Sequence, residues 1–86
     1  MERKAIDALR ENQDAMSKLK SPDGMAWGSV KALLLAQLPE HLDDRDNIAY
    51  LMVRKALNAV LGPQNQSWVS YRNPARNNAT YVRQKK

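Results

Sequence analysis

Residues 68–83 read WVSYRNPARNNATYVR. Two short runs rich in aromatic and β-branched residues, WVSYR (68–72) and ATYVR (79–83), enclose the polar stretch NPARNN (73–78). The runs predict two strands, and the proline and asparagines between them predict a turn, because proline suits a turn position and asparagine tolerates left-handed backbone. Alternation along the first strand puts Val69 and Tyr71 on one face and Trp68, Ser70 and Arg72 on the other. The valines predict that Val69 and Val82 face the core, while the bulk of Trp68 argues for the opposite face. From Trp68 to Lys86 the chain carries five lysines and arginines and no acid.

Immediately upstream, GPQNQS (62–67) is a polar loop. Before it lies a helical stretch predicted over about 44–61. Asp43, Asp44 or Asp46 would cap its start, Gly62 would stop it, and Pro63 prevents its continuation. At about 100° per residue, Ile48, Ala49, Met52, Val53, Ala56, Leu57 and Val60 share half of the wheel. The other half holds Asn47, Tyr50, Leu51, Arg54, Lys55 and Asn58, with Leu61 near the boundary. Arginine binds guanine bidentately, asparagine pairs with adenine, and lysine or tyrosine reaches phosphates. A merely solvated helix face is the alternative. Against it stands the lack of any acid after Asp46, in this helix and in the hairpin that follows.

Two further helices precede these elements. Residues 3–20 carry Ile6, Leu9, Met16 and Leu19 at helical spacing, beside Ala5 and Ala15, and predict one helix with a thin apolar stripe. SPDG (21–24) is a turn. Residues 25–28 form either a brief extended segment or the entry to the next helix. That helix is expected over 29–38, with Gly28 or Ser29 as N-cap, Trp27 at its entrance and Pro39 at its end.

The 86 residues suffice for one domain with one modest core. The net charge is +5. Residues 1–43 hold six basic and seven acidic side chains, against eight and two in residues 44–86, so the excess lies wholly in the second half. From Asn47 onward there are seven basic residues and no acid, which favours a polyanionic partner. The chain has no cysteine, its charged beginning MERKAIDALRENQD has no apolar signal core, and its longest apolar run is ALLLA (32–36). An intracellular protein, cytoplasmic or nucleoid-associated and without a membrane span, is expected.

The order helix, helix, helix, hairpin resembles the winged helix-turn-helix family. The expected fold class is mostly α with a C-terminal β-hairpin in a single domain. The resemblance implies that 29–38 supports, that 44–61 is the recognition helix in the major groove, and that 68–83 is the wing. Met25–Trp27 would supply the short strand that the family has between its first two helices. Sequence-specific binding of double-stranded DNA by a small regulator is the implied function. Asn47, Tyr50, Arg54, Lys55 and Asn58 would come from the helix, Arg72, Arg76 and Arg83 from the wing, and Lys85 and Lys86 from the tail. Arg76 at the tip would lie near the backbone or minor groove, on one cationic surface continuous with the helix.

A module this small would bind as a homodimer or by cooperative filling of repeated sites. The first helix is either the dimer element or simply a core cover. Two other functions use the same elements. One is protein docking through Tyr50 and Leu51. The other is RNA binding with Tyr71, Tyr81 or Trp68 stacked on bases. Catalysis is not expected. His41 is a lone loop histidine, the Asp43–Asp46 cluster reads as capping rather than as a metal site, and no phosphate-cradling glycine motif is present. No metal, cofactor or small-molecule ligand is anticipated, and Trp27 and Trp68 read as core or rim anchors.

Overall fold

A computed structural model describes residues 2–85. It is mostly helical, with a small three-stranded antiparallel sheet near the C-terminal end.

The predicted first helix is two helices, α1 (Glu2–Glu11) and α2 (Gln13–Lys20). Asn12 parts them. Its backbone is extended, and its side-chain oxygen accepts from the Ala15 N–H at 3.0 Å. An asparagine side chain competes with the helix for backbone donors, so here it ends one helix and caps the next. The expectation of one continuous helix over 3–20 is corrected accordingly. Ala5, Leu9, Ala15 and Leu19 are buried as their spacing predicts, and Ile6 and Met16 pack against the same core.

Ser21 closes α2 by donating its hydroxyl to the Lys18 carbonyl at 2.6 Å, and accepts from the Gly24 N–H at 3.1 Å. Gly24 has a φ of +76°, and a Cβ there would collide with the Val82 carbonyl. Only glycine lets the chain pass so close to the sheet. Residues 25–28 then do both things expected of them. Met25–Ala26 form strand β1, and Trp27 opens α3 (Trp27–Leu35). The N-cap of α3 is Ala26, with no side-chain cap, so neither Gly28 nor Ser29 caps it. α3 stops before Leu38 because its last bonds tighten to three-residue spacing, with Gln37 donating to Leu34 and Leu38 to Leu35.

α4 runs from Arg45 to Leu61. Asp44 holds its N-cap position in left-handed backbone but makes no side-chain cap. Its carboxylate accepts from the Asn47 amide at 3.2 Å, while Asp46 in the first turn pairs with Lys31 at 2.9 Å. Arg45 reaches back and donates to the Leu35 carbonyl at 2.8 Å, placing a cation at the negative end of α3 and tying the two helices together. Gly62, with a φ of +116°, ends α4 where expected.

Strands β2 (Trp68–Asn73) and β3 (Ala79–Gln84) form the predicted hairpin. A single 3₁₀ turn, Pro74–Arg76, and left-handed Asn77 and Asn78 join them. β1 adds to the far edge of β3, pairing Met25 with Val82, so the sheet order is β1-β3-β2. Ser70 lies opposite Val82, so Trp68, Ser70, Val82 and Met25 share a face. Trp68 and Val82 are fully buried, and Val69 is only half-buried on the other face. The expectation that Val69 faces the core is corrected. Trp68 has far more apolar area to bury, and its indole N–H finds the Asn58 side-chain oxygen at 3.0 Å beneath α4. Leu9, Leu19, Val30, Leu34, Val53 and Leu57 complete the centre of the core.

Candidate nucleic-acid interface

The outer arc of α4 is the arc predicted from its periodicity. Ala49, Met52, Val53, Ala56 and Leu57 are buried, Ile48, Val60 and Leu61 are half-buried, and Asn47, Tyr50, Leu51, Arg54, Lys55 and Asn58 are exposed. α4 is held in place by an aromatic chain. The Trp27 ring lies 6.5 Å from that of Trp68 and 5.9 Å from that of Tyr50. Trp27 is therefore a bridge from the core to the surface, and its own indole nitrogen is buried with no hydrogen-bond partner among the described residues.

Between α4 and the hairpin lies a cleft of about 200 Å³, lined by Trp27, Tyr50, Arg54, Ser70 and Thr80. Ser70 and Thr80 belong to the sheet face that begins with buried Trp68 and Val82 and emerges from the core toward the hairpin tip. Arg72 pairs with Thr80 and so continues that face. Arg54 and Arg72 thus lie on the same side of the hairpin. Strand parity and cross-strand register bring Ser70 and Thr80 to the site. Composition does not mark them, because neither is charged.

The remaining cations go elsewhere. Arg83 lies on the opposite sheet face, its guanidinium carbon 5.6 Å from the Tyr71 ring centroid. Arg76 lines a second cleft of about 560 Å³ with Lys18, Ser21, Asp23, Ser29, Asn73 and Tyr81. Tyr81 and Asn73 are on that opposite face as well. The expected continuous surface from α4 to Arg76 is therefore divided: Arg72 extends the α4 surface, whereas Arg76 and Arg83 belong to the other side. Lys85 donates to the Asn65 carbonyl at 2.9 Å. Lys86 lies outside the described residues.

Three of the amide and aromatic positions make contacts within the fold. Asn58 is exposed, and its amide oxygen accepts from Trp68, so one of its acceptor positions is committed to the fold. Trp68 is buried and offers no stacking surface. Tyr71 donates its hydroxyl to the Asp23 carbonyl at 2.6 Å and packs 6.2 Å from Tyr81, ring to ring.

Charge is distributed as unevenly in space as along the chain. The ion pairs Asp7–Arg10 and Asp14–Lys18 lie on α1 and α2, and Lys31–Asp46 joins α3 to the first turn of α4. Among the described residues, Arg54, Arg72, Arg76 and Arg83 have no carboxylate at ion-pair distance. His41 is an exposed loop residue, and no three His, Cys, Asp or Glu side chains among the described residues converge to hold a metal ion. No helix among them is long and apolar enough to cross a membrane. No family model, curated protein or solved structure matches the chain.

Proposed function

We propose that this chain is a winged helix-turn-helix domain that binds double-stranded DNA in a sequence-specific manner. In this reading α3 supports α4, α4 enters the major groove, and the β2–β3 hairpin is the wing against the backbone or minor groove. The element order and the sheet order β1-β3-β2 support the architecture. The observation that carries the function is the junction of α4 with the hairpin. Arg54 and Tyr50 meet Ser70 and Thr80 across one cleft, Arg72 follows on the same strand face, and no acid occurs in the chain after Asp46.

The parts have distinct tasks. Arg54 and Asn47 are of the types that pair with guanine and adenine edges. Lys55 and Tyr50 border them on the same exposed arc and suit phosphate oxygens. Arg72 supplies a sequence-independent contact from the wing, and Arg76, Arg83, Lys85 and Lys86 add to the general cationic field. Asn58 acts mainly through Trp68. One such module covers limited DNA surface, so it works as a homodimer or fills repeated sites cooperatively.

Enrichment of random duplexes on the purified protein tests this reading, followed by competition with single-stranded DNA and RNA of the same sequence. The expected result is a recovered motif, bound more tightly as a duplex than in either other form. Equal or tighter binding of the single strands overturns it.

A further inference from the structure

Leu51 is unlike its neighbours on α4. It is 60% exposed, the most exposed of the large apolar side chains among the described residues. Tyr50 is also exposed, at 52%, but its ring rests against Trp27. Leu51 is not among the half-buried residues that pack on the core. On a wheel of about 100° per residue, the exposed arc of α4 runs from Tyr50 round to Ala59, and Leu51 falls near its middle. Asn47 precedes it by one turn, and Arg54 and Lys55 follow by one turn, so polar and cationic side chains flank it along the helix.

A leucine at the centre of an exposed face ordinarily suggests an apolar partner surface. Here the large exposed apolar side chains are Leu51 and, about 100° round the helix, Tyr50 against Trp27, far short of the several hundred Å² of a protein-docking patch. Its surroundings are amide and cationic, and the chain offers no acid from Asn47 onward to complement a basic partner. These surroundings match a duplex. The one strongly apolar group on the floor of the major groove is the C5-methyl of thymine, and aliphatic side chains are its usual contacts.

We infer that Leu51 is a specificity-determining residue that packs on a thymine methyl, so that the preferred site carries a thymine at a fixed position beside the base read by Arg54. The inference rests on the reading of α4 as the groove-entering helix. It adds a preference that charge alone would not give, because cations are attracted to every sequence alike.

Deoxyuridine lacks only the methyl, so it removes the contact without touching the protein. Each thymine of the enriched duplex is replaced singly, dT to dU, and affinity is measured for the wild-type chain, Leu51→Ala and Arg54→Ala. At one position the wild type is expected to lose about threefold to fivefold, the worth of one buried methyl. With Leu51→Ala that replacement should change nothing, while Arg54→Ala should keep the methyl effect. Duplex binding indifferent to every replacement overturns the inference alone. So does a methyl effect that survives in Leu51→Ala. A change of oligomeric state in Leu51→Ala with unchanged duplex affinity also overturns it, and assigns the side chain to contact with a second copy. Absence of any duplex binding overturns the underlying reading together with the inference.

Discussion

The two halves of the molecule treat charge in opposite ways. On α1 and α2, carboxylates stand one turn from cations, and Asp7–Arg10 and Asp14–Lys18 pair at 3.2 Å. On the outer arc of α4 and along the hairpin the cations have no acid in the sequence around them. Exposed pairs add little to stability, so the first pattern is ordinary surface chemistry. The second leaves Arg54, Arg72, Arg76 and Arg83 with no carboxylate at ion-pair distance among the described residues, and a polyanion is the kind of partner that would offset their mutual repulsion. Stability in this fold therefore resides in apolar burial and a few polar ties, and the unpaired arginines of the second half are the feature that the proposed duplex partner would account for.

Substitutions across the divide sharpen that contrast. Trp68→Ala should have the largest effect on folding, about 3–5 kcal/mol by denaturant unfolding, because it empties the site where the hairpin meets α4. Asn58→Ala should cost about 1–3 kcal/mol despite its exposed position, since it strands the buried Trp68 indole N–H. A neutral result there would show that burial of the Trp68 indole N–H does not depend on Asn58. Asn12→Ala removes the cap that starts α2, and about 1 kcal/mol should be lost. Asp7→Asn should shift stability by less than about 0.5 kcal/mol. A much larger loss would show that the paired half relies on its ion pairs for stability.

How far the sequence discloses this arrangement depends on the range of the interaction. The α4 arc is legible because 3.6-residue periodicity separates Ala49, Met52, Val53, Ala56 and Leu57 cleanly from Arg54 and Lys55. The hairpin is legible because its turn needs left-handed residues and has asparagines at 77 and 78. The break at Asn12 is not, because the apolar spacing on either side suits one helix as well as two, and the deciding bond is a side chain turning onto its own backbone. The hairpin face is ambiguous for a similar reason. Trp68 and Val69 are adjacent apolar residues, and the choice is made by Asn58, ten residues away. The pairing of β1 with β3 rests on a glycine 58 residues before its contact at Val82, and no local pattern carries that. At the candidate site, the α4 residues and Arg72 were readable from helix and strand parity. The diversion of Arg76 to the other cleft depends on the turn geometry at Pro74–Arg76, which composition does not encode.

In the proposed binding mode, α4 and the adjoining strand face present one cationic surface to a duplex. The most direct test is the salt dependence of duplex affinity for the wild-type chain, Arg54→Ala and Arg72→Ala. Duplex affinity should fall steeply and linearly on logarithmic axes as salt rises. Arg72→Ala should reduce the slope by about one unit, and Arg54→Ala should weaken the preferred site by roughly 1–3 kcal/mol. Affinity that is flat with salt, or unmoved by both substitutions, would contradict that binding mode.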